Sequence, residues 1–274
     1  MREYYELYMR CFPDYPTTPE NFSTLLRPEL AHIIERRDNS RLIGYALVHN
    51  NCVPMLCVDS EYRGQGIGSG ILEDSEGYLR GQGAEKIVLG CGEHYMLQGV
   101  PEGPAVQFFE KHGYSAGWTS INMALKLSEF DADKLDIPSA PDGVGYRFAK
   151  KQDISPLLKA VEAAEVGWVN IFNDCSDPVL LAELDGTIAG FEVLSTDGGY
   201  FTAPNQLVGS VGCVGVVPHM RERGIGLEMV SHGVQWLKEQ GCDVVELRYT
   251  WLESWYGKLG FKTVSRQWMG EKTL

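Results

Sequence analysis

The sequence predicts two consecutive units of mixed α/β class, and three observations point to it. Apolar runs of strand length alternate along the whole chain with longer segments of helical periodicity. A glycine-rich corner occurs twice, as YRGQGIG at 62–68 and MRERGIG at 220–226, each time after an apolar run and before an amphipathic helix. A second matched pair follows, FFEKHGY at 108–114 and WYGKLGF at 255–261. Gly224 lies 158 positions after Gly66, and the two elements keep their order in each half. Gly66 to Gly113 spans 47 positions and Gly224 to Gly260 spans 36, with the excess in the turn-rich GCGEHYMLQGVPEG at 90–103. A unit repeated in this way reads as one fold used twice.

The boundary between the halves is legible in composition. SEFDADKLDIPSAPDG (128–143) is rich in Asp, Pro and Ser and loses periodicity over its second half, which marks a linker. The expected domains are 1–130 and 143–274, joined by 131–142.

In the first half, EYYELYMRCF predicts a helix, and AHIIERRD with RLIGYALVHN a strand pair across a DNS turn. CVPMLCV (52–58) is a buried strand. The next helix carries Ile67, Ile71, Tyr78 and Leu79 on one face and stops at the glycines after it. KIVLGC, AVQFFEKHGY and SINMALKL then read as strand, helix and closing strand. The second half opens with an extra strand, VGYRFA, before a long helix from DISPLLKAVEAAEVGWV. PVLLAEL and TIAGFEVLS form a hairpin about Asp185-Gly186, followed by strand 207–217 and a helix from Ile225 to Gln240. The apolar face of that helix is Ile225, Met229, Val230, Val234 and Leu237. Strand DVVELRYT, a short helix ending at Gly260 and a last strand complete the half. The first half either lacks the opening strand or receives it from elsewhere.

Composition narrows the functional classes. Apolar residues make up 44% and charged residues 22% of 274, ordinary for a packed globular protein. The net charge of −13 argues against a nucleic-acid partner, which calls for a basic face. It is compatible with attracting cationic small molecules, though simple solubility is the favoured reading of such acidity. No apolar run approaches the ~20 residues a membrane helix needs, so no membrane partner is expected. Seven cysteines without a CxxC pair fit free thiols in a reducing compartment, and a cytoplasmic location is expected. Cys91-Gly-Glu-His94 has no partner pair at ligand spacing, and no metal is expected. Oligomeric state is not legible.

The corners carry the chemistry. Arg-x-x-Gly-x-Gly between a strand and a helix sets backbone N–H groups in a concave turn, with the unpaired amides and positive dipole end of the helix behind them. Glycine admits the required backbone and lets an anion come close. The product is a cradle for a diphosphate. A tight turn with glycines for packing alone is the other reading. The P-loop lysine is missing from both copies, and Gly64, Gly66, Gly68 and Gly70 alternate without giving G-x-G-x-x-G. Pro54 in one preceding strand, and Gly209, Gly212 and Gly215 in the other, predict bulges that would splay the strand and open a slot.

Arg-x-x-Gly-x-Gly after a buried strand, with Tyr-x-Lys-Leu-Gly-Phe downstream, resembles the GNAT N-acetyltransferase superfamily, twice over. The resemblance implies two such domains in tandem, each a mixed, mostly antiparallel sheet flanked by helices. It implies acetyl-CoA as co-substrate, with its pyrophosphate on the corner amides. The matching positions are Arg63, Gly64, Gln65, Gly66, Ile67, Gly68 and Ser69, and Arg221, Glu222, Arg223, Gly224, Ile225 and Gly226. The preceding strand would hold the pantetheine at Cys57 and Val58, and at Val216 and Val217. A tyrosine at the start of the last helix often protonates the departing thiolate in this family. Tyr256 takes that place in the second half, opposite Phe109 in the first, which makes Tyr256 the candidate general acid and the second half the candidate catalytic one. Packing is its alternative role.

Two departures stand out. Neither corner strand has the carboxylate many relatives use as a base, and the frequent upstream asparagine is replaced by Tyr249 or Thr250. The aromatic stretches 167–172 and 198–204 lie where relatives shape the acceptor pocket, or anchor loops. The implied reaction is acetyl transfer to a small amine, or to protein amines. A non-catalytic acyl-CoA sensor and a nucleotide-binding protein are the competing readings.

Overall fold

The computed structural model describes residues 1–27, 31–90, 97–198 and 206–274. They form two compact units that do not follow a single cut in the chain: residues 1–121 with Ser265–Leu274, and the described residues from 122 to 264. The closing strand of each half begins in one unit and ends in the other. β6 (Ser115–Lys126) contributes 122–126 to the second unit, and β12 (Lys262–Thr273) contributes its end to the first. Residues 131–142 lie in the second unit and 265–274 in the first.

In the first unit, α1 (Arg2–Cys11) and α2 (Pro19–Leu25) precede β1 (His32–Asp38), β2 (Arg41–His49) and β3 (Cys52–Val58). β1, β2 and β3 pair antiparallel, with Asn39 at φ 52 in the first turn. α3 (Ile67–Gly81) then crosses to β4 (Lys86–Leu89), which runs parallel to β3. β5 (Val100–Pro101), α4 (Pro104–Lys111) and the start of β6 follow. Among the described residues β1 is an edge strand, whereas in the second unit β7 (Gly145–Phe148) lies beyond β8 (Val179–Leu184). α2 escapes the periodicity reading, yet its start is written in the sequence: Thr18 Oγ1 accepts from Asn21 N at 3.1 Å, and Pro19 occupies the first turn.

The period-2 alternation of β2 sorts the core into two layers. Tyr45 and Leu47 face α1 with Leu7, Tyr8 and Phe22; Ala46 and Val48 face α3 with Ile71, Leu72 and Leu79. Tyr78, expected on the inner face of α3, instead stacks on His32 at the surface (ring centroids 4.2 Å apart), while Ser75 and Glu76 turn inward. Glu76 is tolerated because Lys272, from the end of β12, reaches both its oxygens at 2.8 and 2.9 Å. The same ammonium lies 5.5 Å from the Tyr114 ring centroid. β12 is thus bound to this unit by its ladder with β4 and by an ion pair.

The second unit repeats the plan with β7 (Gly145–Phe148) added. The predicted long helix breaks at Glu165, whose backbone is extended at φ −159, into α5 (Ile154–Ala164) and α6 (Val169–Asn173). β8 (Val179–Leu184) and β9 (Thr187–Ser195) make the expected hairpin, with positive φ at both Asp185 and Gly186. β10 (Val208–Val216), α7 (Ile225–Glu239), β11 (Val244–Thr250) and α8 (Glu253–Gly257) follow. The predicted face of α7 is fully buried. No helix among the described residues is long and apolar enough to cross a membrane.

Removing the Lys272 ammonium leaves the Glu76 carboxylate, 11% exposed, without its partner. Lys272→Ala should lower the stability of the full chain by about 2 kcal/mol in urea denaturation, without changing its helix content.

Candidate active site

Each corner is built by the same backbone device. Gly66 and Gly224, both at φ 81, occupy the cap position of α3 and α7, a left-handed conformation that lets the chain turn straight from the strand into the helix. The corner arginine is a strut: Arg63 Nε donates to Val58 O, and Arg221 Nε to Val216 O, each at 3.0 Å. The strand before each corner is bulged and splayed. Among the described residues β3 pairs with β4 at Cys52 and Val53, and β10 with β11 from Val208 to Ser210. The bulges fall between Cys52 and Met55 and between Gly212 and Gly215, at or near the Pro54 and glycine positions that predicted them. Beyond these pairs, no ladder partner is found on that edge of either strand among the described residues.

The first corner opens on a cavity of about 610 Å³. Val58, Arg63, Gly64, Gly66, Gly68 and Ser69 line it, with Leu56, Phe108 and Phe109 opposite and Cys11 and Phe12 from the end of α1. A β-carbon placed on Gly64 or Gly66 would meet nothing within 4 Å. Of the predicted residues, Cys57 is turned into the core beneath α1, Ile67 packs inside, and the Gln65 amide donates to Glu61 O at 3.0 Å. These three do not line the cavity.

The second corner faces a cavity of about 520 Å³ that contains Val216, residues 221–226, Trp255 and Tyr256. Val217 is buried in the core under α5. This corner is not open in the same way. Pro138 forms part of the wall, and the carbonyl oxygens of Pro138 and Ser139 lie 2.6 and 2.5 Å from where a β-carbon on Gly224 would stand. Ala140 N donates to Glu228 Oε2 at 2.7 Å, fastening the linker to the first turn of α7. Glu228 itself places a carboxylate at the positive end of that helix, where α3 has Gly70 and no acidic group. Glu222 replaces Gly64 and holds φ 62, a conformation disfavoured for a side-chain-bearing residue. The second cradle is lined by carbonyl oxygens and faces a resident anion.

Tyr256 lies in the second cavity, with Trp255 edge-on at 4.6 Å. Burial holds its phenol above the ordinary tyrosine range, and nearby Glu192 and Cys213 add to the effect, so it keeps its proton at neutral pH. Its counterpart Phe109 is packed between Phe108 and Tyr114.

Three features escape the motif reading. Glu192 of β9 is fully buried, neither carboxyl oxygen has a hydrogen-bond partner, and burial pushes its pKa well above the carboxylate range. It fits under α7 only because residue 233 is glycine: a β-carbon there would meet Glu192 Oε1 at 2.2 Å. Cys11 Sγ approaches Val58 O at 3.4 Å. Hydrogen bonding with Cys57 lowers its pKa below the ordinary thiol range, and Arg63 helps, against the opposing effect of burial. The third feature is a Ser69–His112 hydrogen bond across the first cavity's rim, at 3.0 Å. Of the three, Glu192 is the one with a signal in the sequence, a carboxylate inside the apolar run FEVL. Cys91-Gly-Glu-His94 and all but the first residue of 198–204 lie outside the described residues; in 167–172, Phe172 is core and Ile171 exposed. Among the described residues, no group of three or more His, Cys, Asp or Glu is placed to hold a metal ion.

The model of the acetyltransferase (GNAT) family matches residues 1–114 and again 149–261. The chain belongs to the GNAT family. Its general chemistry is acyl transfer, and this GNAT chain carries the fold in two copies. Among solved structures it is similar to a GCN5-related glucosamine N-acetyltransferase region of a fungal multi-domain GH3 β-N-acetylglucosaminidase, at 20% identity and TM-score 0.82, over 98% of this chain and 36% of that one. It therefore spans about a third of that protein. A GCN5-related N-acetyltransferase from Sphaerobacter thermophilus is similar at 19% identity and TM-score 0.77, over 99% and 91% of the two chains. A tandem GNAT protein from the clavulanic acid biosynthesis pathway gives 15% and 0.70, over 99% and 94%. No curated protein matches this sequence.

Two outcomes follow from the geometry. Cys11 should be the thiol alkylated fastest by iodoacetamide at neutral pH, as read by peptide mass spectrometry, and a ligand filling the first cavity should protect it. Glu192 binds its proton more tightly folded than unfolded, so its contribution is present below the unfolded pKa and is lost as pH rises above it. Glu192→Gln should therefore gain stability over the parent progressively from pH 5 to pH 9 in urea titrations.

Proposed function

We propose that this chain is an acetyl-CoA-dependent N-acetyltransferase whose coenzyme occupies the first unit. The diphosphate would rest on the corner amides at 64–69 and the pantetheine along the open edge of β3 at 56–58. One observation carries the choice of unit: the first corner opens freely onto its cavity, whereas Pro138 and Ser139 lie across the second and Glu228 meets its dipole.

Acyl transfer proceeds by attack of a neutral amine on the thioester carbonyl, collapse of the tetrahedral oxyanion and departure of the thiolate. Binding along a splayed strand aims unpaired main-chain groups at the thioester, where an N–H can stabilise the oxyanion. With Phe109 in the tyrosine position, the first unit would release its thiolate without a phenol beside it. The acceptor is a small amine on this reading. Support comes from the net charge of −13, which concentrates cationic amines near the protein.

A second reading places the reaction in the second unit, and Tyr256 favours it: the phenol is protonated, faces the cavity and adjoins the corner. It requires residues 138–140 to move off Gly224.

Gly68 and Gly226 discriminate the two readings, because neither needs a positive φ and a side chain at either enters its own cavity. Gly68→Asp should weaken acetyl-CoA binding more than 100-fold by calorimetry, since a carboxylate there repels the diphosphate, and Gly226→Asp should change it less than threefold. The reverse result would move the coenzyme to the second unit, where Tyr256→Phe should then lower turnover with little change in affinity. Release of free CoA with an amine panel separates an enzyme from an acyl-CoA sensor.

A further inference from the structure

The imidazole of His112, just past the end of α4, is held between two oxygens. Nδ1 lies 2.7 Å from the carbonyl oxygen of Phe108, and Nε2 lies 3.0 Å from Ser69 Oγ. A carbonyl oxygen only accepts, so Nδ1 carries a hydrogen. In the neutral ring Nε2 then has none, and Ser69 must donate to it. The one hydroxyl hydrogen is committed to the ring, and toward the cavity Ser69 presents lone pairs alone. In the imidazolium both nitrogens carry hydrogen. Nε2 now donates to Oγ, and the hydroxyl hydrogen turns into the cavity. A single proton on His112 thus converts Ser69 from an acceptor into a donor, at the third residue of the helix that begins at the corner.

The duplicate unit indicates that this pair is not needed for packing. The positions matching Ser69 and His112 are Leu227 and Leu259, 4% and 1% exposed. Two leucines do there what a serine and a histidine do here, in the unit whose corner is crossed by the linker. The polar pair accompanies the open cavity.

We infer that Ser69 and His112 form a proton-linked recognition element for a phosphate group bound at the first corner. It rests on the reading of that corner as the coenzyme's diphosphate site. A phosphate oxygen accepts hydrogen bonds and repels lone pairs, so it selects the imidazolium form, and binding takes up a proton. Imidazole is the side-chain type whose unperturbed charge change falls between about pH 5 and 8. Charged residues on the elements that carry the pair are Glu73, one turn beyond Ser69 in α3, and Glu110 and Lys111 in α4; the stem of Lys272 of β12 lies 3.7 Å from a β-carbon placed on Gly113, and its ammonium is held by Glu76. The Phe108 ring, 4.5 Å from the imidazole, covers another side.

The test is calorimetric titration of the full chain with CoA from pH 5.5 to 8.5, in buffers of different ionisation enthalpy. The parent protein should lose about tenfold more affinity between pH 6 and 8 than His112→Leu does, the scale of one hydrogen bond to a charged group. On binding it should also take up a proton that His112→Leu and Ser69→Ala do not. His112→Gln, a permanent donor, should keep parent-like acidic affinity at pH 8. The leucine variant places at 112 the residue that the second unit carries at the matching position, so it should fold. Equal pH slopes and equal proton uptake in parent and His112→Leu would overturn the inference and leave the coenzyme reading intact. No binding to the parent at any pH would overturn both.

Discussion

A helix that starts at the end of a strand, inside a fold, carries amide hydrogens that no residue of the helix can satisfy, and a partial positive charge with them. Both units are arranged around this constraint. The glycine cap makes the abrupt turn possible, the corner arginine pins the strand end by its carbonyl, and the splayed strand leaves room before the helix. What differs is how the exposed amides are met. The first unit leaves them facing a cavity. The second supplies an answer from within the chain, with a carboxylate in the first turn and the linker fastened to it.

The duplication makes this difference interpretable, because paired positions have changed together. Ala46 and Ser75 in the first unit correspond to Glu192 and Gly233 in the second: where one partner grew, the other lost its side chain. Ser69 and His112 correspond to Leu227 and Leu259, and Gly70 to Glu228. Close packing enforces such compensation, since a core has no spare volume for an added carboxyl. The cavity rims are under no such pressure, and changes there alter which groups a ligand meets. The two units have kept the same scaffold and diverged at the corner.

The exchange of closing strands ties the halves together covalently and energetically. Neither unit is built from one contiguous half of the sequence: 122–126 and 265–274 each belong to the unit formed mainly by the other half. Lys272 and Glu76, 196 positions apart, make the ion pair that secures one of these strands.

Sequence alone determined the duplicated plan, the strand–corner–helix order, the Asp185-Gly186 hairpin, the buried face of α7 and the two bulged strands. These features depend on local rules: period, turn chemistry, and where proline and glycine can stand in a strand. It also placed most of the corner residues on the cavity walls, since a corner is contiguous in the chain. Tertiary structure decided the rest. It assigned the last strand to the first unit, turned Tyr78 outward and Glu76 inward, laid 138–140 across Gly224, and brought His112 to Ser69 across 43 positions. Each of these depends on which distant segments meet, and pairing over such distances is set by packing of the whole chain, which no local window of sequence contains.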